Sequence, residues 1–185
     1  MLSISDIYES YKEGNRDFRE ANLEKASLSL FQLNRVDFSN SNLVKINLYK
    51  TQINQSNLSN SILREANLER VSLYKSDLTK ADLSESTLIE VYLSHANLTD
   101  ANLSRTQIIQ SDFRYANLYR TNMSEAVCGN LDLRDVDLRV ANLRKTQFIC
   151  CDLSGANLEE ARIEETIFED VILTGTIMPN QVKQS

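Results

Sequence analysis

Proline, glycine, tryptophan and histidine are nearly missing from this 185-residue chain, which has one Pro, four Gly, no Trp and one His. With so few breakers, no stretch has the composition of a linker between domains. The abundant Ser, Asp and Glu have only His95 as a possible catalytic partner, and we expect that residue at an outer turn. The scarcities favour one continuous, noncatalytic unit.

Cysteine is also scarce, and its three copies lack the paired spacing of a zinc site. Cys150 and Cys151 are adjacent and should face opposite ways, so we expect reduced thiols. No Gly-rich phosphate loop is present, and we predict no cofactor. The N-terminal residues have no basic start and no long apolar run, which favours a cytoplasmic protein that does not enter membranes.

What the chain has in abundance is a five-residue unit, seen in A-N-L-T-D-A-N-L from Ala96 to Leu103. We number the unit from its small residue, so that Ala96 is position 1, Asn97 position 2 and Leu98 position 3. Every position 3 from Phe18 to Met178 is apolar, and position 1 is mostly small. The frame never slips over this range.

A period of five suits neither a helix nor a straight strand, because both would scatter the position-3 side chains. A short extended piece followed by a turn buries positions 1 and 3 together and winds the chain into a coil. Residues of similar size and type line up most clearly at a spacing of twenty, which places Phe18 over Phe38 and Phe148 over Phe168. We predict four units per turn and about eight right-handed turns, roughly 40 Å long.

The units Ala21–Lys25, Ala81–Glu85 and Ala96–Asp100 resemble those of the pentapeptide-repeat family, and the resemblance extends from Arg16 to about Met178. It implies an all-β fold, the right-handed parallel quadrilateral β-helix. It implies little about function, because most members have no assigned role. Members that confer fluoroquinolone resistance resemble DNA and bind gyrase, and family members dimerise through their C-terminal ends.

The two ends of the chain depart from the repeat. Residues Ser5 to Glu13 read as a short helix that caps the coil, with partner binding as the alternative. We therefore divide the chain into a capping helix over residues 1–15, the repeat over 16–178 and a tail over 179–185. The tail either folds back over the coil or leaves that end free for a second molecule.

Three sets of outward side chains are candidate contact surfaces. Apolar residues spaced at multiples of twenty predict an apolar stripe, although their alignment by accidental sequence variation is the alternative. It comprises Tyr49, Ile89, Ile109 and Ile149. An acidic patch comprises Glu159, Glu160, Glu164, Glu165, Glu169 and Asp170. A candidate homodimer end comprises Ile167, Ile172 and Ile177.

These features predict a noncatalytic scaffold or protein-binding module whose partner is a protein of unknown identity. A net charge of −6 argues against direct nucleic-acid binding. A DNA mimic that binds gyrase or another DNA-binding protein is an alternative. It is disfavoured because DNA spreads its charge along its axis, whereas this chain concentrates acid near one end. A rod that only self-associates is a further alternative.

Overall fold

The five-residue repeat winds the chain into a coil with twenty residues per turn. In a computed structural model that describes residues 4–180, parallel bridges join position 2 of a unit to position 2 twenty residues later. One column of bridges continues from the first turn to the last without a gap. It connects Asp17, Asp37, Asn57, Asp77, Asn97, Asn117, Asp137, Asn157 and Ile177.

Regular strands occupy one side of this coil. They are β1 (Thr87–Ile89), β2 (Gln107–Ile109), β3 (Val127–Gly129), β4 (Gln147–Ile149) and β5 (Ile167–Glu169). They pair in parallel in chain order, each in register with the strand twenty residues on. These strands span about four turns, and single bridges continue the same stacking through the eight twenty-residue steps from Asp17 to Ile177.

Each turn is bonded to the turns on both sides of it. Leu98 N–H donates to the carbonyl of Asn117 in the following turn, at 2.7 Å. Asn97 N–H donates to the carbonyl of Ser76 in the preceding turn, at 2.9 Å. These two bonds recur in unit after unit, and within a turn the position-1 N–H donates to the position-3 carbonyl three residues earlier, as in Ala96 to Leu93 at 3.0 Å. The backbone polar groups are therefore satisfied mainly by bonds between turns.

Every corner of the coil is made by a residue in the left-handed region. From Glu20 to Gly175, each position 5 has φ between 51° and 71°, and only Gly155 and Gly175 among them are glycine. This conformation costs other residues roughly 1–2 kcal/mol. The corner N–H also bonds to the next turn, as in Asp100 to Tyr119 at 3.0 Å. Stacking between turns therefore stabilises a corner that local preference disfavours.

The interior holds positions 1 and 3, as predicted. Phe18 stacks on Phe38, and Phe148 on Phe168, each pair with ring centres 5.5 Å apart. Polar residues at position 1 are tolerated because their hydroxyls bond to backbone carbonyls. Thr121 Oγ1, for example, donates to the Leu98 carbonyl at 2.9 Å. No buried side-chain nitrogen or oxygen lacks a partner within the described part of the chain.

Helix α1 (Ile4–Lys12) covers the N-terminal end of the coil. Its Ile7 is fully buried, and Ile4 and Tyr11 pack against the core. The Tyr8 ring lies 5.1 Å from that of Phe31. The predicted helix, Ser5 to Glu13, is thus confirmed one residue earlier at each end. Residues 1–3 of the predicted cap and 181–185 of the predicted tail lie outside the described residues.

Val140 tests the strain at the corners, because a β-branched residue is especially disfavoured at its φ of 60°. We expect Val140→Asn to raise the free energy of unfolding by about 1 kcal/mol, since Asn tolerates the left-handed region. Urea denaturation measures the change. Val44→Asn, at a position 4 without positive φ, is the control and should give no gain. A loss of stability in Val140→Asn would contradict the interpretation.

Candidate functional site

The strands β1–β4 form a surface without charged side chains, which we call the strand face. Their outward residues are Thr87, Ile89, Gln107, Ile109, Val127, Gly129, Gln147 and Ile149. Ile89 pairs with Ile109, which pairs with Gly129, which pairs with Ile149. A Cβ added at Gly129 would lie 3.1 Å from Ile109 Cδ1, so the isoleucine side chain fills the space that the glycine leaves.

The predicted apolar stripe is in one column but differs from the prediction in exposure. Ile89, Ile109 and Ile149 are half-buried, because each leans on its neighbours in adjacent turns. Tyr49 is also half-buried, and the column position between it and Ile89 is occupied by Glu69. The continuous part of the stripe is therefore the strand face, and Tyr49 lies apart from it.

The six carboxylates of the acidic patch are all exposed and lie in the last full turn. Glu164 is 3.4 Å from Arg144, and Glu165 is 4.0 Å from Lys145. The remaining four have no ion pair among the described residues. By the twenty-residue register, the six side chains are distributed over three of the four sides of the coil.

The C-terminal isoleucines are the most exposed large aliphatic residues of the last turns. Ile167, Ile172 and Ile177 are 49%, 52% and 53% exposed. Leu173 joins them at 40%, although its position 3 predicts burial. It is exposed because no further turn covers it within residues 4–180. The signal in the sequence was the end of the repeat after Met178.

An ion-pair ladder crosses three turns on the side that follows the strand face. Arg114 contacts Asp112 at 2.8 Å and Asp132 at 3.4 Å, and Arg134 contacts Asp132 at 2.7 Å and Asp152 at 3.8 Å. Partial burial alone would raise the pKa of Asp112, but the Arg114 guanidinium outweighs it and lowers that pKa. The carboxylates on this side are thus neutralised in place.

His95 lies at a corner, as predicted, in an aromatic cluster that the sequence analysis missed. Its ring stacks on Tyr115 at 5.0 Å and meets the edge of Tyr74 at 5.8 Å. The signal in the sequence was that the twenty-residue period places these three aromatic residues on the same side of the coil in successive turns. Ring contacts of this kind stabilise a surface rather than position a proton-transfer group.

Two shallow hollows lie on the described surface. One, of about 350 Å³, lies beside Cys150, and another, of about 470 Å³, is lined by Tyr8 and Tyr11 of α1 together with Leu30 and Phe31. Within residues 4–180, no three His, Cys, Asp or Glu side chains converge as metal ligands would. The same residues include no helix with the length and hydrophobicity needed to span a membrane.

Comparison with protein families gives a match over most of the chain. The model described as "Pentapeptide repeats" matches in eight copies, over residues 17–52, 51–88, 76–114, 87–124, 101–139 and 138–175. The chain belongs to the pentapeptide-repeat family. No curated protein matches it.

Several solved pentapeptide-repeat structures are similar to this one. HetL, involved in heterocyst differentiation regulation in the cyanobacterium Nostoc sp. strain PCC 7120, is 27% identical, with 97% of this chain and 94% of HetL covered and a TM-score of 0.35. QnrB1, a plasmid-mediated fluoroquinolone resistance protein, is 16% identical, with coverages of 89% and 84% and a TM-score of 0.51. Rfr23 from the cyanobacterium Cyanothece 51142 is 20% identical, with coverages of 94% and 97% and a TM-score of 0.31.

In this pentapeptide-repeat protein, the candidate surfaces meet at one turn. Strand β5 contributes both Ile167 of the C-terminal end and Glu169 of the acidic patch. The isoleucine stripe occupies the same side, in the turns before it. Apart from Tyr49, the three predicted sets are therefore contiguous.

The ion-pair ladder predicts a pH dependence of stability. Because the folded-state pKa of Asp112 is lowered, its contribution is present above the usual carboxyl pKa near 4 and is lost as the pH falls through the folded value. We expect Arg114→Gln to lower the free energy of unfolding at pH 7 by about 1 kcal/mol at most, since the pair is partly exposed. The difference from wild type should shrink near pH 2. Urea titrations at both pH values measure it.

Arg35→Gln is the matched control, because the Arg35 guanidinium bonds to the neutral Gln55 at 3.1 Å. Its difference from wild type should be independent of pH. If Arg114→Gln loses as much stability on acidification as wild type does, the ladder is not the source of the pH dependence.

Proposed function

We propose that this chain is a noncatalytic β-helical scaffold that binds a protein partner through its strand face. The observation that carries the proposal is the lack of charge in β1–β4, on a coil whose next side bears the ion-pair ladder. Interface cores are depleted in charged residues relative to the rest of a protein surface. The strand face has that composition.

The geometry of the strand face also suits docking. Four parallel strands at about 4.8 Å spacing make a regular surface roughly 15 Å across. Ile89, Ile109 and Ile149 are held by their neighbours and lose little conformational freedom on binding. The flanking amides of Gln107 and Gln147 supply donors and acceptors around this apolar centre. A partner with a complementary flat surface fits these features.

A noncatalytic role is supported by the arrangement of the chemically active side chains. The one histidine, His95, stacks on Tyr115 and meets the edge of Tyr74, and Cys128 and Cys151 are buried. Burial raises the pKa of the Cys128 thiol well above its ordinary value, which opposes thiolate chemistry. We also propose a cytoplasmic setting, since the exposed thiol of Cys150 suits a reducing compartment.

DNA mimicry is a second candidate function, favoured by the acidic patch and by the fold shared with QnrB1. The distribution of charge weakens it. Between residues 156 and 170 the sequence has six carboxylates and one basic residue, Arg162, and four of these carboxylates have no ion pair among the described residues. Farther back, Asp112 and Asp132 are paired with arginines. A duplex mimic needs unpaired negative charge along its length.

Self-association through the C-terminal end is the third candidate, supported by the exposed Ile167, Ile172 and Ile177. An isologous homodimer would bring the same surface of both copies together. It would cover these side chains, but it would also bring two acidic patches together. Electrostatic repulsion then opposes the contact, most strongly at low ionic strength.

Substitution on the strand face tests the proposed function. We expect Ile109→Lys to reduce the partner recovered by affinity capture from source cytosol about tenfold, because a charge would enter an apolar contact. Ile62→Lys, on another side of the coil, is the matched control and should retain the partner. If Ile109→Lys recovers as much partner as wild type, while the double variant Glu164→Lys with Glu165→Lys recovers none, the partner binds the acidic patch instead.

A supercoiling assay tests the mimicry alternative. We expect no inhibition of DNA gyrase at a large molar excess of the protein, because the net negative charge is concentrated at one end. The readout is the fraction of plasmid supercoiled, compared with a reaction lacking the protein. Inhibition that Glu164→Lys with Glu165→Lys relieves would show that mimicry is correct.

A further inference from the structure

Among residues 4–180, nothing covers the cross-section of the core at the C-terminal end of the coil. Leu173 is 40% exposed, while its counterpart one turn earlier, Leu153, is fully buried. Leu153 N–H donates to the Ile172 carbonyl at 2.9 Å, and Gly155 N–H to the Thr174 carbonyl at 2.9 Å. The N–H groups of Leu173 and Gly175 make no such bond within residues 4–180.

The opposite end of the molecule shows what covers a coil of this size. There, α1 places Ile4, Ile7 and Tyr11 against the first turn and buries Ile7 completely. A helix with its side chains is about 10–12 Å wide, so one short amphipathic helix spans the end. No helix follows the coil in the described residues at the C-terminal end.

A helix fits the C-terminal end better than an added strand does. The chain turns a corner after each five residues, so a straight strand would pair with only one side of the last turn. The apolar side chains Ile172, Leu173 and Ile177 would remain largely uncovered. An amphipathic helix presents a continuous apolar face of comparable width.

The charge around this end specifies the partner further. Carboxylates surround the apolar cross-section on three sides, and only Glu164 and Glu165 have ion pairs among the described residues. A second copy would meet this ring with an identical one, and like charges across an interface are unfavourable. A helix with basic residues beside its apolar face would meet it with opposite charge. The ring would also raise the rate of encounter with such a helix.

We propose that the C-terminal end is a docking site for a basic amphipathic helix of a partner protein. The helix lays its apolar face on the end of the core at Leu173, with the outward Ile172 and Ile177 at the rim on two adjacent sides, and its lysines or arginines face the acidic patch. This inference rests on the proposed role as a binding module, but it concerns a surface distinct from Ile109. The partner's helix would cover the C-terminal end of the coil as α1 covers the N-terminal end.

A designed peptide tests this site directly. The probe is a helical peptide of about 18 residues, long enough for a stable helix, with Leu along one face and Lys elsewhere. Its matched control keeps the Leu face and replaces each Lys with Glu. In fluorescence anisotropy, we expect the full chain to bind the Lys peptide at least about tenfold more tightly than the Glu peptide. The difference should narrow as salt rises.

Variants locate the binding. Ile172→Asn should weaken binding of the Lys peptide about tenfold, whereas Ile62→Asn should leave it unchanged. Glu169→Lys with Asp170→Lys should narrow the preference for Lys over Glu about tenfold. Ile109→Lys should have no effect on peptide binding. If the strand face proves not to bind a partner, the result for the C-terminal end therefore still stands. Thermal denaturation verifies folding, and methyl NMR shifts at Ile172 and Ile177 in the wild type give a readout independent of variants.

Three outcomes would overturn the proposal. Equal affinity for the Lys and Glu peptides would show that charge does not select the peptide. Unchanged binding in Ile172→Asn, with methyl shifts elsewhere, would place the peptide on another surface. A dimer in light scattering, at about twice the 21.1 kDa chain mass and undisturbed by the Lys peptide, would assign the end to a second copy.

Discussion

The hydrogen bonds between turns are the interaction on which the rest of the structure depends. A single five-residue unit has a left-handed corner that most side chains disfavour. The backbone N–H and C=O groups that point along the coil axis have no hydrogen-bond partner within the unit. Once stacked, each unit is bonded to the turn before it and the turn after it. Stability therefore grows with each added turn, as in other repeat proteins. The ends, which lack one neighbour, are intrinsically the incomplete parts.

This dependence separates the residues that specify the fold from those available for function. Positions 1 and 3 must fill a narrow interior, and their identities vary little along the chain. Outward positions meet their equivalents one turn away, so a substitution acts through a column. On one side, Asn102, Asn122 and Asn142 form an amide ladder with spacings of 3.1 Å and 2.9 Å. On another, Arg and Asp alternate. The strand face differs from both in having no such polar ladder, which is why we propose it as the partner-binding surface.

The sequence was sufficient for the features that depend on the repeat alone. The stacking of Phe18 on Phe38 and the inward position of Cys151 followed from counting in fives and twenties. It was insufficient where a residue's environment depends on neighbouring turns. Ile109 was predicted to be exposed, but the space above Gly129 lets its side chain bend over the surface. Leu173 was predicted to be buried, but burial at position 3 requires a following turn. Neither effect can be read from one unit.

Strand β5 pairs with β4 of the strand face and also belongs to the C-terminal end, and this has a consequence for how the proposed partner would bind. Ile167 and Glu169 lie on the same strand, one on the apolar rim and the other in the acidic ring. A basic segment is attracted to the ring over a distance of about one Debye length, near 10 Å, before any apolar contact forms. It then docks beside β4, the nearest strand of the strand face. A partner that places a helix on the end and an adjoining surface on the strand face engages two sites through one rigid element. Each contact then raises the effective concentration of the other, and moderate affinity at either site becomes tight binding overall.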